Sequence, residues 1–297
     1  MEALYGAGGV LHSSTSAASG GQTNYQYDAF GQLKQATDAY GTVVSQVTYN
    51  LRGMRTAITD VDLGAWSFTP NALGEIVSQT DAKSQTASFE YDALGRLKKR
   101  TEAEGISNWT WGVSAAAHNI GRLQAVNGPG YGETYTYDAY GRPSVRWISA
   151  DATYQFDYAY NSLGQTDTLT WPTSTSGVRF KAKYGYTGGR LTSVQDYTGN
   201  VNGTVLWTLN LLDAGGRAIS ETYGNGLWLQ NAYHPLTGLP ETRRSGTGGA
   251  ENNVQDLLYA WDVAGNLTAR QDLRQGLTES FTHDALNRLS TVSGPGG

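Results

Sequence analysis

The stretch Tyr91-Asp92-Ala93-Leu94-Gly95-Arg96-Leu97 decides the fold, because it recurs along the whole chain. Clear copies are Tyr27-Asp28-Ala29-Phe30-Gly31-Gln32-Leu33 and Tyr137-Asp138-Ala139-Tyr140-Gly141-Arg142-Pro143. Later ones are Trp261-Asp262-Val263-Ala264-Gly265-Asn266-Leu267 and His283-Asp284-Ala285-Leu286-Asn287-Arg288-Leu289. Asp-x-x-Gly suits a type I turn closed by a left-handed residue. Asp or Asn at its first position hydrogen-bonds the backbone two residues on, and Gly takes the φ > 0 conformation that side chains disfavour. Between strand-forming residues, such a turn with a glycine bulge makes a β-hairpin.

Working outward, the anchoring glycine stands at 9, 31, 53, 74, 95, 121, 141, 164, 189, 216, 238 and 265, with Asn287 in the last copy. Asn tolerates the left-handed region, so the substitution fits a conformational constraint better than a chemical one. The spacings are 22, 22, 21, 21, 26, 20, 23, 25, 27, 22, 27 and 22, a period that marks a repeat architecture. A second turn signal sits midway, as in Asp38-Ala39-Tyr40-Gly41 and Ser174-Thr175-Ser176-Gly177. One period is therefore two strands and two turns, with longer periods lengthened at the second turn, as at Asp196–Gly203 and Ser245–Asn253. Tyr154, Phe156, Tyr158 and Tyr160 alternate as on one face of a strand, as do Trp109 with Trp111 and Trp66 with Phe68.

Nineteen Tyr and eight Trp favour strands, and 38 glycines exceed the usual share of about 7%. The whole chain, 1–297, reads as a single array. Residues 1–22 form a degraded, Gly/Ser-rich first repeat, and 290–297 a flexible tail. About 25 strands at roughly 4.8 Å each would make a ladder on the order of 120 Å wide, so the sheet is expected to curl or break into blades. The expected fold is all-β, a long antiparallel hairpin array curled into a spiral or hollow shell wall. The alternative is a six-bladed β-propeller, which needs alternate copies that differ systematically; the copies decay gradually instead.

A net charge of −5 without a strong basic cluster argues against nucleic-acid binding. No run approaches the roughly 18 apolar residues of a membrane helix. No cysteine is present, so disulfides and thiolate metal sites are excluded. No signal peptide is visible at the N-terminus, and the chain reads as a piece of something longer.

The repeat unit resembles the YD repeat of the rearrangement-hotspot (RHS) family, over essentially the whole chain. That resemblance implies hairpins in a continuous sheet that spirals into a shell around a toxic polypeptide, in bacterial polymorphic and insecticidal toxins and in teneurin-like relatives. It implies a secreted or cell-surface bacterial protein. Its partners would be a polypeptide cargo or the remaining segments of the shell. Self-cleaving family members carry Asp-Pro motifs after the repeats; here none of the seven prolines follows an Asp.

No catalytic, cofactor or metal site is expected. The corner residues Asp28, Gly31, Gly53, Gly74, Asp92, Gly95, Asp138, Gly141, Gly164, Gly216, Asp262, Gly265, Asp284 and Asn287 read as structural turn positions. Calcium needs six to eight converging oxygens, which one side chain per hairpin does not supply. Arg96, Arg122, Arg142, Arg190, Arg217 and Arg288 read as ladder rungs pairing with Asp of a neighbouring turn and stacking on Tyr rings. The scattered histidines, His12, His118, His234 and His283, read as substituted repeat residues. The non-enzymatic reading has one alternative, a carbohydrate or cell-surface binding module whose sugar-facing aromatics would be Trp109 and Trp111.

Overall fold

The computed structural model describes residues 2–5, 11–15 and 22–294. The chain divides into two compact units, Met1–Tyr154 and Gln155–Gly297. In the first, fourteen strands run from Glu2–Tyr5 to Pro143–Ser149, each antiparallel to the next in sequence. The second begins within Thr153–Tyr160 and runs through twelve strands to Leu289–Ser293 with the same pattern. Neither ladder breaks into blades, which sets the propeller aside within each unit. Among the described residues the one helical segment is the 3-10 turn Thr198–Asn200, inside the longer connection after Asp196.

The corner glycines follow the turn chemistry. Gly31, Gly53, Gly74, Gly95, Gly121, Gly141, Gly164, Gly189, Gly216, Gly238 and Gly265 all have φ between +71° and +88°. Asn287 has φ +62°. Gly9 and residues 295–297 lie outside the described residues. Composition suggests a flexible tail from 290, yet Leu289–Ser293 is a strand, paired with Leu277–His283 and exposed at all five positions. The 26-residue period before Gly121 departs from the expectation that extra length enters at the second turn. Its additional residues lie in the corner itself, between Trp111 and Leu123. Asn119, 6% exposed, holds that longer corner by accepting Ser114 N at 2.9 Å.

Within each unit the strands touch only their ladder neighbours and, for Arg179–Thr187, the 3-10 turn. Each sheet is therefore a single layer, and the most deeply buried described side chain is a small one, Ala182, 1% exposed. The two faces differ in chemistry because strand residues alternate sides. In the first unit, register places Ile58 opposite Trp66, Phe68 opposite Gln79, and Phe89 opposite Arg100. Trp109 lies opposite Val126, and Val126 opposite Glu133. These aromatic, aliphatic and charged side chains are half-buried against one another. The other face is mainly Ser, Thr, Asn and Gln, with Thr48, Ser67, Ser88, Asn108 and Thr136 exposed.

Candidate functional site

The recurring site is the corner. In the copy at Asp92, Oδ1 accepts Leu94 N at 2.9 Å and Arg96 N at 3.0 Å. Asp92 N donates to Arg96 O at 2.9 Å, and Gly95 N to Asp92 O at 3.0 Å. The same bonds recur at Asp28, Asn50, Asn71, Asp138, Asn161, Asp262 and Asp284. Asn serves as well as Asp because Oδ1 alone makes the cap. Asp213 makes the second of these bonds, to Arg217 N at 2.8 Å.

Where Asp and Arg occur together, they pair within one corner. Arg96 reaches Asp92 at 2.6 Å, Arg142 reaches Asp138 at 2.7 Å, Arg217 reaches Asp213 at 2.6 Å and Arg288 reaches Asp284 at 2.8 Å. This corrects the expected pairing with a neighbouring turn. The cap consumes Oδ1 and leaves Oδ2 facing the side chain four residues on, whereas the next corner on the same rim is two strands, roughly 10 Å, away. The hydrogen bond from Arg96 holds the Asp92 carboxyl below the usual range; at Asp284 the Arg288 backbone N–H does so first. Two of these guanidinium groups also lie over rings of the following repeat, Arg96 at 4.8 Å from Trp111 and Arg217 at 4.5 Å from Tyr233, whereas Arg142 lies 4.9 Å over Tyr140 of its own corner.

A second coupling was not read from the sequence. The aromatic residue at or near the start of a corner donates to a backbone carbonyl of the preceding repeat, two residues past that repeat's glycine. Tyr49 Oη donates to Leu33 O at 2.8 Å, Tyr91 Oη to Ile76 O at 2.8 Å and Tyr186 Oη to Thr166 O at 2.9 Å. Tyr233 Oη donates to Ala218 O at 3.3 Å, and Tyr137 Oη to Leu123 O. Tryptophan does the same through Nε1: Trp111 to Leu97 O at 2.9 Å and Trp261 to Pro240 O at 2.7 Å. The strand pair between repeats ends short of the corner. Thr86–Tyr91 pairs with Ile76–Thr80 only as far as Ser78↔Ser88, leaving Ile76 O for the ring. The available signal was that Tyr alternates with Trp at this position, and both carry a donor at the far end of the ring.

The residue directly after the corner glycine reaches forward. Gln32 Nε2 donates to Gly53 O at 2.7 Å, Gln165 Nε2 to Gly189 O at 2.9 Å and Arg190 Nη1 to Gly216 O at 2.6 Å. In the last pair Asn266 Nδ2 donates to Asn287 Oδ1 at 3.0 Å. Corners are thus bonded backward through rings and forward through amide or guanidinium groups.

The strongest electrostatic cluster lies off the corners. Glu133 accepts Arg146 Nε at 2.9 Å and Nη2 at 2.6 Å, and its two oxygens also accept Tyr131 Oη and Tyr135 Oη. The Arg146 bond chiefly lowers the Glu133 carboxyl to about 2. Burial, then the bond to Glu133, pushes the Tyr135 phenol up to about 12. Both oxygens of this carboxylate accept hydrogen bonds, so the cluster is a clamp between Tyr131–Tyr137 and Pro143–Ser149.

The structure separates the two tryptophans singled out as sugar-facing. Trp111 occupies the ring-donor position, with its Nε1 bonded and Arg96 over its face. Trp109 is half-buried in an open cleft beside Arg100 and Tyr131. His234 Nδ1 accepts Thr237 N at 3.2 Å in its corner. Among the described residues, no three His, Asp or Glu side chains come together as a metal site. No helix there is long and apolar enough to cross a membrane.

Comparison with known proteins adds to this geometry. The RHS Repeat family model matches residues 11–43 and 71–107. Double-stranded DNA deaminase toxin A of Burkholderia cenocepacia (strain H111) is 28% identical over 231 residues, which is 75% of this chain and 14% of that protein. The crystal structure of TcdB2-TccC3-Cdc42 matches 98% of this chain and 16% of its own, with TM-score 0.75 and 17% identity. The Photorhabdus luminescens Tc holotoxin pore matches the same shares, with TM-score 0.74 and 17% identity. The chain spans about a sixth of the length of these relatives.

Proposed function

We propose that this chain, which matches the RHS Repeat model over residues 11–43 and 71–107 and shares the all-β repeat fold of the TcdB2-TccC3 complexes, is a non-enzymatic wall segment. It would belong to a shell that encloses a toxin or other polypeptide cargo within a longer, exported bacterial protein. The observation that carries this reading is the single layer. A sheet whose strands touch only their neighbours, with backbone bonds satisfied laterally and corners tied to one another, is built to separate two sides. Among the described residues the corner carboxylates cap turns, and the oxygens of the Glu133 clamp are occupied. Its partners would be the cargo and the adjoining repeats.

Limited proteolysis of the longer parent protein tests this. Its cargo should resist protease while the repeats are intact. It should become sensitive when Gly95 and Gly141 are replaced by Val, a residue unsuited to φ +74° and +71°. Equal cargo digestion in both proteins would count against enclosure.

A further inference from the structure

On the aromatic face of the first unit, two adjoining clefts of about 190 and 490 Å³ share Glu102 and Glu104 as a common wall. Trp66 lines the smaller, and Trp109 and Tyr131 line the larger. We propose that these clefts form one groove that binds an extended, basic, aromatic-containing polypeptide segment. This deepens the wall reading and rests on it only for the partner's being cargo.

Dimensions come from the ladder. The strand Gly64–Pro70, which carries Trp66, and the strand Gly105–Trp111, which carries Trp109, are four ladder steps apart. Tyr131–Tyr137, which carries Tyr131, lies two steps further. At about 4.8 Å per step the groove spans roughly 19 Å between the tryptophans and 29 Å to Tyr131. An extended chain rising about 3.3 Å per residue covers that with six to nine residues. The groove stays open because its floor is small. Ala87 lines the first cleft and Gly128 the second, where a Cβ would meet Ser107 Oγ at 2.7 Å.

Charge selects the occupant. Asp81, Glu102 and Glu104 line the groove against one guanidinium, Arg100, which lies 2.8 Å from Glu102. The excess is two carboxylates in a chain of net charge −5, so a ligand with Lys or Arg is favoured. The strands beneath are bonded on both sides, so the ligand adds no strand to the sheet and is held by side chains alone. Such contacts tolerate many sequences. A sugar is less well served: Arg100 stands 5.9 Å over the Trp109 ring, and Phe68 stacks beside Trp66 at 6.5 Å.

The test is fluorescence anisotropy of this chain with a labelled, unstructured peptide of about twelve residues containing Gly, Ser, four Lys and two Trp. A Glu-for-Lys version, a neutral hexasaccharide and sedimentation of the chain alone serve as comparisons. The basic peptide should bind, and the acidic version roughly tenfold more weakly at low salt. Trp109→Ala should weaken binding about tenfold through the lost ring contact. Glu104→Lys, at an exposed turn, should weaken it several-fold with the circular dichroism unchanged. Peptide binding unaffected by both substitutions would overturn the groove. So would hexasaccharide binding without peptide binding, or self-association through Trp109. Any of these leaves the wall reading standing if cargo protection persists. Loss of protection in Glu104→Lys parent protein, with corners intact, would join the two.

Discussion

The ring-to-carbonyl bond can be isolated at Tyr91. Replacing Tyr91 with Phe removes one hydroxyl and leaves the ring. The hydroxyl donates to Ile76 O at 2.8 Å, where the strand pair has already ended. A net hydrogen bond is worth about 0.5–1.5 kcal/mol, and a buried carbonyl left unpaired costs about 1–3 kcal/mol. Because this site is only part-buried, water can reach the carbonyl, and the expected loss is about 1 kcal/mol. That is roughly a fivefold rise in local opening. Hydrogen exchange at Ser78–Thr80 and Thr86–Ser88 reads it locally, which matters because a repeat array need not unfold in one step. Tyr91→Trp is the control. Trp111 and Trp261 hold the equivalent carbonyls through Nε1 at 2.9 and 2.7 Å, so Trp should protect better than Phe. If Phe protects as well as Tyr, or Trp is worse than Phe, ring packing rather than donation couples the repeats.

The other predictions concern the corner and the clamp. Gly95→Ala at φ +74°, with its Cβ 3.0 Å from Glu75 Oε1, should cost about 1–2 kcal/mol, and Gly95→Asn less, since Asn287 holds φ +62°; denaturant midpoints check the order. Asp92→Asn keeps the Oδ1 cap and loses the Arg96 pair, whereas Asp92→Ala loses both, so melting temperature should fall in the order Asp, Asn, Ala. Glu133 has its pKa lowered to about 2, so its contribution is fully present above the unfolded value near 4.5 and is lost as pH falls toward 2. The fall from 4.5 to about 2 caps it at about 3.4 kcal/mol, and Arg146, 31% exposed, brings it nearer 1–2 kcal/mol. The gap between wild type and Glu133→Gln should therefore narrow from pH 4.5 to 2 in acid unfolding; a gap constant across that window would show that the charge is not what stabilises.

The corners were legible because their constraint is local. Four consecutive residues and one positive φ determine the turn, so Asp28, Asp92, Asp138 and the spaced glycines could be placed from the chain alone. What failed depended on direction or on distance. The partner of Arg96 is not legible in the sequence because the cap fixes which carboxylate oxygen is free, and this orients the guanidinium back into its own corner. Period two places Trp111 with Trp109 on one face but does not show that the donor position gives Trp111 a bonded Nε1. The groove joining Trp66 to Tyr131 needs the register of seven strands, from Gly64–Pro70 to Tyr131–Tyr137, and no local pattern carries that.

These bonds explain why a single layer can hold without a second sheet. A layer cannot bury large side chains face to face, so its stability has to come from neighbours along the ladder. Backbone pairing supplies most of each interface but stops short of the corner, where the bulge and the turn pull strands apart. The Tyr or Trp donor closes that gap backward, and the Gln, Arg or Asn directly after the corner glycine closes the rim forward. A repeat that kept Asp and Gly but lost both donors would still turn, yet it would be joined to its neighbours only through the middle of its strands. Drift in the copies is therefore tolerated more readily at the exposed tips, such as Leu94 and Val263, than at the ring position. The same reasoning places the weakest interfaces where the ring is replaced, as at Pro70, which has no donor to offer. Hydrogen exchange should be faster across Arg55–Asp60 and Gly64–Pro70 than across Ile76–Thr80 and Thr86–Tyr91; equal protection at the two interfaces would show that the ring donors are incidental to the wall.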